Sequence, residues 1–158
     1  MKTDIGITDK DREAVVIILN GDLADLYVLY TKTRNYHWNV VGPRFNDLHK
    51  FFEAQYEALN DSIDEVAERA RSLGGASVAT LAEFVKMSRL SEHPGKFPDA
   101  DTMLKNLLAD HETVIRNLRR DVEDTAEKHN DAGTSDFLTG LMEGHEKMAW
   151  MLRSFLEK

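Results

Sequence analysis

The sequence predicts an all-α fold: a four-helix bundle with one long crossover that carries a short extra helix. Apolar residues recur at three- and four-residue steps over long stretches, the signature of amphipathic helices. Alternating β-branched runs of period two are absent. Only 3 prolines and 9 glycines interrupt the 158 residues, and they cluster where helices should end.

The first helix is expected from about Asp9 to Trp38, tolerating Gly21, with Leu19, Leu23, Leu26, Tyr30 and His37 along one apolar face. "VVGPRFND" makes a turn, and a second helix runs from near Asn46 to Leu73, where Gly74 and Gly75 stop it. Its core seam is Phe52, Tyr56, Leu59, Ile63, Val66, Ala70 and Leu73. The short helix "TLAEFVKMS" lies in the connection that follows, which "HPGKFPDAD" closes. Asp99 or Asp101 can cap a third long helix reaching about His129. After the turn "HNDAGT" a fourth begins near Thr134 and ends close to the C-terminus. Two helix pairs joined by one long crossover make a ferritin-like arrangement, read as a single domain over residues 1–158.

Composition narrows the chemistry. With no cysteine, disulfides and thiolate metal sites are excluded, and any metal must be held by nitrogen and oxygen, which suits iron, manganese, zinc or magnesium. A formal charge of −8 opposes attraction to nucleic-acid phosphates or anionic membranes. No run of about 20 apolar residues predicts a membrane span, and "MKTDIGITDKDREA" has no hydrophobic signal region. The expectation is a cytoplasmic protein.

The second helix carries a further pattern off its core seam: His49 and Glu53, then Asp64 and Glu68. Each pair is four residues apart and can converge from one helical face. All four fall within roughly a 100° sector, centred on the order of 120° from the seam. One helix cannot make one site from all four, because Glu53 and Asp64 are separated by roughly 16 Å of axial rise. An antiparallel second copy of the helix can. Position 49 then faces 68 and position 53 faces 64, and one register satisfies both because the two pairs sum to the same value. A two-fold axis near Ala58 and Leu59 gives two equivalent sites about 22 Å apart. The short "VVGP" connection folds His37 toward His49 and Glu53. A solvated, ion-paired face shared with Glu57, Asn60 and Arg71 is the competing description of the same spacing.

At these residues the sequence closely resembles the Dps family, the mini-ferritins named as DNA-binding proteins from starved cells. The match rests on "YHWNVVGPRFNDLHKFFE", "DEVAERARSLGG" and "HEKMAWMLRSFLEK", and extends over essentially the whole chain. The resemblance implies a homo-oligomer, a hollow dodecamer of tetrahedral symmetry built from two-fold dimers. It implies that Fe(II) is oxidised, preferentially by hydrogen peroxide, and that ferric mineral is kept inside. It also implies that His37, His49 and Glu53 of one subunit meet the partner subunit's Asp64 and the partner subunit's Glu68 around at most two irons, with zinc as an alternative occupant. The family most often has aspartate where Glu53 stands, which bears on metal stoichiometry. Glu-x-x-His, the mark of an intra-bundle di-iron centre, does not occur at any of the 6 histidines.

Trp38 and Tyr36, beside His37, are placed to donate electrons when only one iron is bound, although packing also accounts for Tyr36. Glu127, Asp131 and Asp136 resemble the family's acidic three-fold iron-entry pore, and an ordinary capped turn would look the same. The rival function is DNA compaction within the nucleoid. In the family it commonly uses basic tails, and here Lys2, Lys10 and Arg12 are offset by Asp4, Asp9 and Asp11, so DNA binding is expected to be weak or absent. His93, His111, His129 and His145 show no partner at ligand spacing, and Trp150 fits the apolar face of the last helix.

Overall fold

A computed structural model describes residues 3–157. In chain order the helices are α1 (Asp9–Asn39), α2 (Phe45–Ser72), α3 (Leu81–Met87), α4 (Ala100–Glu127) and α5 (Ala132–Ser154). The long helices pack as two hairpins, α1 on α2 and α4 on α5, with α1 also packed on α4. The Arg44 guanidinium, at the start of α2, pairs with Asp101 in the first turn of α4. Those two helices therefore start at the same end of the bundle, as the crossover requires.

Four of the five helices begin where a side chain takes up an orphaned backbone N–H, α2 being the exception with Arg44 at its start. Thr8 accepts from Asp11, Asp99 from Thr102, and Asp131 from Thr134. At α3, Thr80 and Glu83 form a reciprocal capping box. α2 closes with Gly74 at φ +86°, a left-handed position that only glycine adopts freely. The core is formed by residues such as Leu19, Leu23, Leu26, Leu48, Phe52, Leu59, Leu104, Leu107, Leu118 and Leu152, all essentially inaccessible. Tyr56 and Ile63 of the expected α2 seam are only half-buried. Trp150 departs from expectation at 60% exposed. The buried face of α5 runs through Leu141, Met142, His145, Ala149 and Leu152, which turns position 150 to the surface. α1 is long and apolar enough to cross a membrane by composition alone, but most of its apolar stretch is buried inside the bundle, as befits a central core helix.

Buried ionic pins hold the crossover. Fully buried Asp25 accepts from the Ser88 hydroxyl (3.0 Å), the Arg89 backbone N–H (2.6 Å), Arg89 Nε (2.8 Å) and Asn117 Nδ2 (3.3 Å). Arg89 also reaches Asp22 at 2.6 Å. Lys32 Nζ binds the Ser91 carbonyl and Asp110, both at 2.6 Å. Asp25→Ala removes four hydrogen bonds from a fully buried position, but the Arg89 side chain is 36% exposed and keeps Asp22, so the loss should be about 1–3 kcal/mol. Chemical denaturation at fixed protein concentration measures it, and a loss below about 1 kcal/mol would place this network with weak surface pairs.

Candidate metal centre

His37 lies in the last turn of α1 and His49 in the second turn of α2, with Val40 and Leu48 buried on either side of the connection. The turn closes through Gly42 (φ +108°), whose carbonyl accepts from the Phe45 N–H. It brings the two imidazoles face to face, ring centres 3.8 Å apart and planes 19° from parallel.

The stack is locked by an exchange of hydrogen bonds. His37 Nδ1 lies 2.7 Å from the His49 carbonyl oxygen, and His49 Nδ1 lies 2.9 Å from the His37 carbonyl oxygen. A carbonyl only accepts, so both Nδ1 atoms carry protons, and in the neutral rings both Nε2 atoms keep a lone pair for an electrophile. The His37 carbonyl is one of the orphans at the α1 C-terminus, so the bond that fixes the His49 tautomer also caps a helix. His37 is 7% exposed, within reach of solvent but not bathed in it.

Glu53 follows His49 by one turn. Its Oε1 accepts from the Tyr56 hydroxyl at 3.4 Å, and the Tyr56 ring stands edge-on to His37 at 5.2 Å. Burial, and next the Glu53 charge, push the Tyr56 phenol above its usual range, which keeps it a donor. Phe45 covers the other side of His49 at 5.1 Å.

Asp64 and Glu68 stand exposed farther along α2, Asp64 in an open depression with Asn60, Asp61, Ile63, Glu65 and Ala67. Among the described residues, no three His, Asp or Glu side chains of a single chain converge closely enough to hold a metal ion. The structure thus brings His37 and His49 together, sets Glu53 beside them on Tyr56, and leaves Asp64 and Glu68 apart. Trp38 is 65% exposed and lies under the Arg34 guanidinium, 5.1 Å from its ring centre.

Of the acidic residues at the α4–α5 turn, Glu127 and Asp136 are exposed. Asp131 is buried, accepting from the Thr134 N–H (2.9 Å) and hydroxyl (2.5 Å) and pairing with Arg69 at 3.2 Å. Within the subunit its carboxylate serves as the α5 cap.

Two features had no sequence signal at ligand spacing. His111 and His145, expected to lack partners, meet inside the bundle with their Nδ1 atoms 3.0 Å apart, both fully buried and both Nε2 atoms without a partner. They are 34 residues apart, so only tertiary packing of α4 on α5 reveals them. His129 likewise reaches Asp11 at 3.2 Å. Tyr56 was read as plain core, although its place three residues after Glu53 puts it on the same helical row.

The family model for the ferritin-like domain matches residues 17–158. An uncharacterised low temperature-induced protein of Nostoc sp. is 51% identical over 99% of this chain and 87% of its own length. DNA protection during starvation protein 2 of Bacillus anthracis is 40% identical over 91% of this chain and 97% of its own. The X-ray structure of Dps from Thermosynechococcus elongatus superposes with a TM-score of 0.89 at 35% identity, covering 94% of each chain. The shared bundle, the crossover helix and the level of identity make this chain a member of the Dps (mini-ferritin) family.

Proposed function

We propose that this protein is a ferroxidase and iron store that oxidises Fe(II) with hydrogen peroxide at sites shared between two-fold-related subunits. The observation that carries this is the locked imidazole pair with Glu53 one helical turn along, while among the described residues no three such groups of one chain converge on an ion. The partner subunit's Asp64 and the partner subunit's Glu68, brought in by the antiparallel α2 register, complete the donor set. Iron is the substrate here. Neutral nitrogen and carboxylate oxygen suit Fe(II), and the anionic carboxylates favour Fe(III) more because the attraction grows with the ion's charge. Two Fe(II) ions give one electron each; with two protons, hydrogen peroxide becomes two waters, and no hydroxyl radical is released.

Zn(II) takes the same donors but has no redox chemistry, so it occupies and blocks the site. The assembly is a dodecamer of two-fold dimers in the cytoplasm. With −8 per chain its surface opposes phosphate attraction, and no gel shift of DNA is expected at moderate salt near neutral pH. Glu127 and Asp136 line the route for incoming iron, while buried Asp131 holds the turn between them as the α5 cap; neutralising the two exposed carboxylates should slow uptake with the assembly mass unchanged.

The direct test is anaerobic Fe(II) titration of the metal-free assembly followed by peroxide, with mass measured in parallel. Saturation at no more than two Fe(II) per subunit and rapid ferric absorbance growth are expected. Tight Zn(II) binding without any iron turnover would reduce the protein to a structural cage.

A further inference from the structure

We propose that Tyr56, Tyr30 and Tyr27 form a relay that supplies the second electron when a site holding one iron meets peroxide, and that carries the resulting oxidising equivalent away from the ligands. This rests on the ferroxidase function proposed above and assigns the odd-electron step to residues other than Trp38 and Tyr36.

The chain has 4 tyrosines, and three follow one another in successive ring contacts from the candidate centre. The Tyr56 ring is edge-on to His37 at 5.2 Å, Tyr30 is edge-on to Tyr56 at 6.1 Å and 84°, and Tyr27 follows Tyr30 at 6.0 Å and 66°. Tyr27 then stacks on Phe84 at 4.1 Å. A phenylalanine ring has no phenol to lose a proton, so the line of readily oxidised groups ends at Tyr27, about one helical turn beyond Tyr30 on α1. The fourth, Tyr36, is buried on a different side, its hydroxyl held by Asn106 at 2.9 Å. Trp38, 65% exposed in the single subunit, has the Arg34 guanidinium 5.1 Å from its ring centre and no tyrosine ring beside it.

Two further contacts suit the line to its task. The Tyr56 hydroxyl already donates to Glu53 Oε1, so a proton acceptor waits where the phenol must give one up. The Arg34 guanidinium lies over Tyr56 at 4.9 Å and Tyr30 at 5.6 Å and donates to the Tyr30 hydroxyl at 2.6 Å. A cation on the ring face opposes a ring radical cation and leaves the neutral phenoxyl radical as the oxidised form.

The step balances as follows. One Fe(II) gives one electron and becomes Fe(III), and the Tyr56 phenol gives one electron and one proton and becomes a neutral radical. With one further proton from water the peroxide O–O bond breaks and two waters form. Tyr30 then reduces Tyr56, and Tyr27 reduces Tyr30; each hop moves one electron. The half-buried phenols exchange the accompanying proton with solvent.

The test mixes metal-free assembly with one Fe(II) per site and one equivalent of hydrogen peroxide without oxygen, followed by freeze-quench electron paramagnetic resonance. A free-radical signal whose hyperfine pattern collapses on ring deuteration of tyrosine is expected. Tyr56→Phe should lower it severalfold and raise hydroxyl radical caught by a spin trap. Tyr30→Phe should retain a tyrosyl signal but hold it beside Fe(III), seen as faster spin relaxation than in the wild type. At two Fe(II) per site, Tyr30→Phe and Tyr27→Phe should form ferric iron at the wild-type rate. An undiminished tyrosyl signal in Tyr56→Phe, its loss in Trp38→Phe instead, or no radical despite normal two-iron oxidation would each overturn the relay alone. No ferric growth even at two Fe(II) per site would overturn the ferroxidase function and the relay with it.

Discussion

A chain carrying His37→Asn and His49→Asn, and a second chain carrying Asp64→Ala and Glu68→Ala, will each lose ferric iron formation alone and regain part of it when the two are co-assembled. Asparagine is the choice at 37 and 49 because its amide N–H stands in for Nδ1 and can still meet the facing carbonyl, whereas nothing replaces Nε2. Loss of a group that merely hydrogen-bonds a metal ligand costs about 10–100-fold, so loss of the ligands themselves should reach the upper end or beyond. In a mixed two-fold dimer one site receives both defects and the other receives neither. Random pairing therefore restores about a quarter of the sites. Stopped-flow ferric absorbance on the mixture, with mass confirming assembly, reads this out. A mixture as inactive as its components would mean that no site is shared between subunits.

The second large effect is acid instability centred on His111 and His145. Burial holds the His145 imidazole down to about 4, and burial followed by the neighbouring His145 holds His111 well below its ordinary value. Neither ring accepts a proton in the folded state until the medium is far more acidic than the 6.5 at which an exposed imidazole titrates. Between those limits the unfolded chain binds more protons than the folded one, so stability falls as pH falls. The contribution is intact above pH 6.5, declines through the window down to about 4, and amounts to roughly 3 kcal/mol for His145 alone. His111→Leu combined with His145→Leu removes the proton sites and the unpartnered Nε2 atoms together, and a paired polar-to-apolar exchange of this kind is close to neutral near pH 7. Denaturation midpoints from pH 7 to 4 should therefore drop for the wild type and stay comparatively flat for the double variant. Parallel acid profiles would place the acid-sensitive groups elsewhere.

The features legible in the sequence are local or repeat with a helical period. The cap at Asp99, the stop at Gly74 and the α2 seam each depend on residues within a few positions of one another, and the structure reproduces them apart from half-buried Tyr56 and Ile63. The His37–His49 pairing was legible because a short turn leaves few ways to arrange its two flanking helices. What escaped depends on distant segments meeting. Asp25 and Arg89 are 64 residues apart, and His111 and His145 are 34 apart; no spacing rule connects them. Trp150 escaped for another reason. On a helix with buried residues at 141, 142, 145, 149 and 152, a one-position error in phase moves a large aromatic from core to surface.

The mutual Nδ1–carbonyl bonds between residues 37 and 49 make ring orientation a property of the backbone rather than of any bound ion. On the function proposed above, an arriving cation meets two imidazoles whose orientation is already set, so little affinity is spent on freezing their rotamers. Because the clasp uses only the atoms that face the protein, it is indifferent to whether the outer nitrogens are loaded or empty. The cradle should thus survive repeated filling and emptying without the hairpin opening, which suits the repeated turnover that the proposed function requires.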